Sequence, residues 1–143
     1  MIFAFSLSPK NIIDEFEHKT SNLNARLENI KAAQMNGFKT RLCFDPIIYC
    51  QNYEAEYSAM CDKVLETINI NAVQDISIGS FRISQSYLKN MRLRDSKSKI
   101  VNFPFENVNG VYQYPQDLQN RMEQFLVEKL SNYFDKEKIF LWK

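Results

Sequence analysis

The chain has 143 residues, 45% hydrophobic and 24% charged, enough for one packed domain and too apolar for a disordered segment. Its formal net charge of +1 gives no global attraction for nucleic acid or a lipid surface, so any such attraction must be local. No apolar run approaches the roughly 20 residues of a membrane span, and the opening MIFAFSLSPK lacks the basic leader of a secretion signal; both point to the cytoplasm.

In chain order, IFAFSL predicts a strand that runs straight into SPKNIIDEF, a short helix with Ser8 as cap and Pro9 at its first position. TSNLNARLENIKAAQMNG predicts a longer helix capped by Ser21 or Asn22, with Leu23, Leu27, Ile30 and Ala33 inward and Gly37 at the left-handed exit. FKTRLCFDPII predicts a second strand that ends at Pro46. NYEAEYSAMCDKVLETINI predicts a helix capped by Asn52, with Tyr57, Met60, Cys61, Val64, Leu65 and Ile68 inward. DISIGSFRI predicts a third strand, followed by a short helix in SQSYLKNMRLR. From about residue 95, DSKSKIVNFPFENVNGVYQYP is expected as loop, QDLQNRMEQFLVEKLSNYF as an amphipathic helix and KIFLW as a final short strand.

Strand and helix alternate three times with short connections, the pattern of parallel βα units. Period-two alternation puts Phe3, Phe5 and Leu7 opposite Ala4, Ser6 and Ser8. It likewise puts Leu42 and Phe44 opposite Arg41, Cys43 and Asp45, and Ile76 and Ile78 opposite Ser77 and Gly79. One bulky and one small or polar face per strand is too polar for a sheet covered on both sides. Two arrangements remain: a curved sheet with helices outside and a polar lumen inside, or a flat α/β sheet with one bare face. Chemistry in such folds gathers at the C-terminal strand ends, which carry Ser6 and Ser8, Asp45, and Ser80 with Arg82. Ser8 is equally a helix cap, and Asp45 before Pro46 is ordinary turn chemistry.

Three glycines exclude a Gly-rich phosphate loop, and the single histidine, His18, reads as a solvated helix end rather than a catalytic base. Cys43, Cys50 and Cys61 fall in a strand, a loop and a helix pattern, which predicts buried thiols rather than disulfides or a metal site. Lys89, Arg92, Arg94, Lys97 and Lys99 run against one acid, Asp95. They read as a phosphate grip or as a solvated helix end and loop. Tyr112 and Tyr114 read as base-stacking rings or as packing for the helix that follows.

The stretch SLSPKNIIDEFEHKTSNLNARLENIKAAQMNGFKTRLCFDPIIY resembles the second half of spore photoproduct lyase and its radical S-adenosylmethionine relatives. Ser6, Pro9, Glu17, Thr20, Leu23, Arg26, Leu27, Pro46 and Ile47 stand in matching order, while Ser8 and Lys19 depart from the family's usual Asn and Gly. The similarity continues through NYEAEY, ISIGSFRIS and GVYQYPQDLQNRMEQFLVEKLSNYFDKEKIFLW.

The resemblance implies an α/β fold that is half of a partial (β/α)6 TIM-type barrel. Residues 1–95 would give strands four to six, and residues 96–143 a loop-helix-strand extension. It implies S-adenosylmethionine as cofactor in a partial site, with Ser6 at its methionyl part, Ser8, Asp45 and Ser80 nearby, and Ile76 to Phe81 along the adenine. Arg82 and the Tyr112 region would face a lesion in DNA, with Arg92, Arg94, Lys97 and Lys99 on phosphates. The family's reaction uses the adenosyl radical to reverse a methylene-bridged thymine dimer.

The family's 4Fe–4S cluster is held by cysteines spaced C-x3-C-x2-C. Cys43, Cys50 and Cys61, seven and eleven positions apart, do not match that loop. The cluster and the hydrogen-donor cysteine are therefore expected in a missing N-terminal half, so the chain by itself is expected to be inactive. That half would come from a separate chain, or the bare edge of IFAFSL would pair with a second copy. The competing expectation is a non-catalytic remnant or small α/β binding module.

Overall fold

The computed structural model describes residues 2–16 and 21–141. His18, and Glu17, Lys19 and Thr20 of the family-like stretch, lie outside them, as does Trp142 at the end of the final predicted strand. Four strands, β1 (Ile2–Ser6), β2 (Lys39–Ile47), β3 (Val73–Ser80) and β7 (Ile139–Leu141), form one sheet in that order, every pair parallel. A small antiparallel sheet stands beside it, built from β4 (Arg82–Ser84), β6 (Val111–Gln113) and β5 (Glu106–Val108). The helices are α1 (Lys10–Phe16), α2 (Leu23–Met35), α3 (Tyr53–Thr67), α4 (Gln85–Arg94) and α5 (Gln116–Ser131). Among the described residues, no helix is long and apolar enough to cross a membrane.

The two strand faces separate as the alternation predicts. In register across the sheet, Phe5, Leu42, Ile76 and Ile139 form one row, and Phe44 and Ile78 another. Leu42, Phe44, Ile76 and Ile78 are fully buried beneath the helices. There α2 packs on β1 and β2, α5 packs on β3, and α3 lies between α2 and α5. The opposite rows are Ala4, Arg41 and Asp75, then Ser6, Cys43, Ser77 and Phe140. Ala4, Ser6 and Arg41 are exposed there and Phe140 is 55% exposed, while Cys43 and Asp75 are half-buried and Ser77 is buried. No described helix covers this face, and it is bare toward its β1 and β7 edges. The described strands form an open sheet with edges at β1 and β7, not a closed barrel.

Local chemistry accounts for the helix limits. The Asn22 carboxamide accepts from the Ala25 amide at 2.8 Å and starts α2, and Gly37 leaves it at φ 84°, where a side chain would be strained. Leu23, Leu27 and Ile30 are buried as the stripe predicts, joined by the side chain of Arg26. At α1 the first turn closes on the Pro9 carbonyl, which accepts from the amides of Ile12 and Ile13. Pro9 therefore takes the cap position assigned to Ser8, and Ser8 is buried.

Three elements differ from the sequence reading. The second strand does not stop at Pro46: it continues to Ile47, with a register shift against β3 between Phe44 and Ile47. Proline, with no amide to donate, is tolerated at such an irregular step. The third strand leaves the main sheet at Phe81, whose amide bonds the Ile47 carbonyl at 3.0 Å, and Arg82–Ser84 then pairs antiparallel with Val111–Gln113. The segment expected as loop holds the β5–β6 hairpin, turned by Asn109 (φ 54°) and Gly110 (φ 86°). That Asn-Gly pair between Val108 and Val111 is a strong hairpin signal, one that the loop reading of this stretch does not use.

Where β2 ends, two tyrosine hydroxyls hold the backbone. The Ile48 amide donates to the Tyr57 hydroxyl at 2.9 Å and the Tyr49 amide to the Tyr114 hydroxyl at 2.8 Å. Tyr114 is fully buried against Phe103 and Phe105, ring centroids 4.9 and 5.1 Å away. Burial pushes the Tyr114 phenol well above its ordinary pKa, so it stays protonated. It is a packing residue, not a base-stacking one. Tyr114→Phe keeps the ring but leaves the Tyr49 amide without its acceptor, and should cost about 1–3 kcal/mol. A fall in the denaturant midpoint equal to that energy divided by the slope, with the slope unchanged, is the expected outcome.

Candidate functional site

The C-terminal ends of β1, β2 and β3 lie side by side because the pairing is parallel, and most of the predicted cofactor residues come from there. Ser6 closes β1 beside Cys43, its side chain exposed on the bare face. Its carbonyl accepts from Arg26 Nη1 at 3.2 Å, and Arg26 Nε bonds the Ser21 carbonyl at 2.9 Å, so α2 holds the strand end in place. On the next strand, Asp45 Oδ2 accepts from the Ser77 hydroxyl at 2.9 Å. Cys43 sits in register between Ser6 and Ser77. Burial pushes its thiol up and the Asp45 charge adds to that, with a Ser77 hydrogen bond opposing. Lower on the same face Arg41 grips Asp75 with both guanidinium arms, Nη2 to Oδ2 at 2.9 Å.

An open cleft of about 490 Å³ sits at these ends, lined by Asp45, Pro46, Gly79, Ser80, Phe81 and Arg82. Of the rim candidates it brings Asp45, Ser80 and Arg82 together, and Ser6 does not line it. Ser8 does not line it, and its side chain is buried. The Ser80 hydroxyl is turned toward the helix layer and donates to Glu123 Oε1 of α5 at 3.3 Å. Burial raises the Glu123 pKa, opposed by its Ser80 hydrogen bond and the Arg82 charge. Glu123 was not singled out from the sequence: it follows the inward Met122, and an acid on the flank of an amphipathic stripe reads as solvated.

The nucleic-acid candidates divide. Arg82 pairs with Gln113 and Ile83 with Tyr112, so Arg82 and Tyr112 point to opposite faces of the small sheet. Tyr112 lines a separate groove of about 330 Å³ with Gln85, Leu88, Lys89, Arg92 and Leu93. Arg92 also has internal work: its Nε and Nη2 bond the carbonyls of Val101 and Phe103 at 2.8 and 2.9 Å, pinning the loop after α4. Arg94 is exposed, 3.9 Å from Asp95, and Lys97 and Lys99 are exposed on the loop beyond the groove.

The cysteines lie where their patterns put them. Cys43 is half-buried in β2, Cys50 half-buried in the following loop, where Asn11 Nδ2 lies 3.7 Å from its sulfur, and Cys61 buried in α3. Burial pushes the Cys61 thiol up to about 12. Among the described residues no group of three or more His, Cys, Asp or Glu side chains is placed to hold a metal ion.

Glu123 gives a pH signature. Its folded pKa is raised, so its contribution is fully present below the ordinary carboxylate pKa and is lost as pH rises through the folded value. The thermal midpoint of the wild type should therefore fall relative to that of Glu123→Gln as pH rises just above the ordinary carboxylate range. Parallel curves for the two proteins across that window would contradict the assignment.

Compared with known proteins, residues 1–142 match the family model described as spore photoproduct lyase. The curated spore photoproduct lyase of Clostridium acetobutylicum is 26% identical over 145 residues, covering 94% of this chain and 42% of its own length. The fold is similar to solved structures of spore photoproduct lyase. One is complexed with dinucleoside spore photoproduct (TM-score 0.76), and one is a mutant with bound AdoMet and dinucleoside spore photoproduct (TM-score 0.77). Both are 18% identical to this chain, cover 98% of it and are themselves covered over 43% of their length. The chain thus spans less than half the length of the relatives it matches.

Proposed function

Because the chain belongs to the spore photoproduct lyase family, we propose that it forms the C-terminal part of a radical S-adenosylmethionine lyase that reverses a thymine photoproduct in DNA. In this reading β1, β2 and β3 are strands four to six of a partial (β/α)6 barrel. Residues 1–95 would carry most of that wall, and residues 96–143 the extension, whose helix α5 packs on β3 and whose strand β7 adds to the sheet beside β3. The supporting observation is the two-faced sheet: a helix-covered apolar face against a polar face with Ser6 and Arg41 exposed, Cys43 and Asp45 half-buried and Ser77 buried, which would line the concave side of an open wall. The β1 edge, where Ile2 and Phe3 are exposed and Phe3 meets the Phe38 ring at 4.8 Å, would be covered by the preceding part of the barrel or by a second copy.

The bare face suits the cofactor. S-adenosylmethionine offers an ammonium, a carboxylate and ribose hydroxyls, and the exposed Ser6 hydroxyl and the Asp45 carboxylate are complementary to them. The cleft at Gly79 and Ser80 would take its adenine side, and the buried Ser8 would act only through the turn from β1 into α1. When bound, the cofactor supplies hydrogen-abstraction chemistry. This chain's residues would hold and orient it and exclude water. The iron-sulfur cluster does not fit here: Cys61 is buried in α3, and no cluster-forming side-chain group exists among the described residues. We assign the cluster to protein outside these 143 residues.

DNA would meet both faces of the small sheet, with Arg82 at the cleft on one face, Tyr112 and Arg92 in the groove on the other, and Arg94, Lys97 and Lys99 on phosphates. Titrating the full chain with S-adenosylmethionine should shift the amide resonances of Ser6, Asp45 and Gly79. An oligonucleotide carrying the thymine photoproduct should shift Arg82 and Tyr112, with an affinity that falls as salt rises. No shift at the strand ends with either ligand would overturn the reading.

A further inference from the structure

The β5–β6 hairpin carries two asparagines at its tip, in the run Glu106-Asn107-Val108-Asn109-Gly110-Val111, and neither belongs to the site above. Asn109 is exposed and precedes glycine, the residue that shields a neighbouring amide least. In such a pair the glycine nitrogen, having lost its proton to solvent base, attacks the asparagine Cγ. A C–N bond forms, the bond to the side-chain nitrogen breaks and ammonia leaves. Water then opens the succinimide at either carbonyl, giving aspartate or isoaspartate, with no change of oxidation state.

Here the attacking nitrogen is occupied. The Gly110 amide donates to Asn107 Oδ1 at 2.8 Å, which keeps the proton on nitrogen and points it away from Asn109. The Gly110 carbonyl accepts from the Gln85 amide at 3.1 Å, so the same residue ties the hairpin tip to the start of α4. Both anchors bear on the groove beside Tyr112: Asn107 is in register with Tyr112, and Gln85 lines the groove.

We propose that Asn109 is a latent deamidation site held unreactive by the Asn107 side chain, and that its conversion loosens the hairpin wall of the groove beside Tyr112. Isoaspartate adds a methylene to the backbone of the two-residue turn, and either product adds a negative charge to a tip that Gly110 ties to the start of α4.

The test is peptide mapping of the full chain during incubation at mildly alkaline pH, following mass gain and isoaspartate at position 109. Wild type, Asn107→Ala and Asn107→Asp are compared with an unfolded peptide of residues 105–113. Asn107→Ala should convert about fivefold faster than wild type, the ratio for losing one ordinary hydrogen bond. Asn107→Asp, which keeps an acceptor, should match or undercut the wild-type rate, and the peptide should exceed all three. The proposal is overturned if wild type converts as fast as the peptide, or if Asn107→Ala matches wild type. It also fails if Asn107→Ala accelerates only because amide exchange at Val108 and Val111 shows the hairpin gone, with Asn107→Asp accelerating equally.

Discussion

Two phenol hydroxyls, from Tyr57 and Tyr114, accept the consecutive amides of Ile48 and Tyr49 where β2 leaves the sheet, and much of the molecule is arranged around that contact. Buried amides at a strand end have no ladder partner, and leaving them unmet costs as much as a lost hydrogen bond. Tyr57 reaches them from α3 in the helix layer, and Tyr114 from the segment entering α5. Gln119 Nε2 bonds the Tyr114 carbonyl at 2.7 Å, so α5 fixes the ring from behind. One short stretch of backbone thereby joins the parallel sheet, its helices and the later part of the chain.

The aromatic group around Tyr114 extends that joint across the strand ends. Phe81, at the point where the chain leaves β3, packs 5.6 Å from Phe105, and Phe103 lies 5.4 Å from Tyr49. Such ring pairs add specific geometry to their burial. Two consequences meet at the cleft. Phe81 turns the chain out of the parallel sheet, so Arg82 lands at the cleft mouth and Tyr112 on the far side of the small sheet. The rings also fill much of the helix side of the strand ends, where the Ser80–Glu123 pair is a polar exception.

On the bare side, polar groups satisfy one another across neighbouring strands: Arg41 with Asp75, and Asp45 with Ser77. Parallel register makes this possible, because Arg41 pairs with Asp75 and Cys43 with Ser77. The pairs give the face fixed donors and acceptors instead of mobile charges, the condition for orienting a polar ligand. Glu123 does the complementary work from behind by holding Ser80 toward the helices.

Periodicity carried the parallel βα order, the buried stripe of α2 and the two-faced strands, since each of these depends on residues two to four positions apart in one element. The family likeness was carried by a few spaced residues such as Ser6, Pro9, Arg26 and Pro46. The hairpin was legible in Asn109-Gly110, a signal that the loop reading of that stretch does not use. Other features had no local signal. That Arg92 would spend its guanidinium on the Val101 and Phe103 carbonyls depends on a loop folding back over α4. That Ser80 would face Glu123 depends on where α5 lands, 43 residues further along. That Arg82 and Tyr112 would part depends on a strand switching sheets at Phe81. Sequence by itself determined which side chains each element turns inward, because burial of an apolar stripe is a local matter. Only the tertiary structure decided which polar groups meet, because those distances are set by register and packing between segments far apart in the chain.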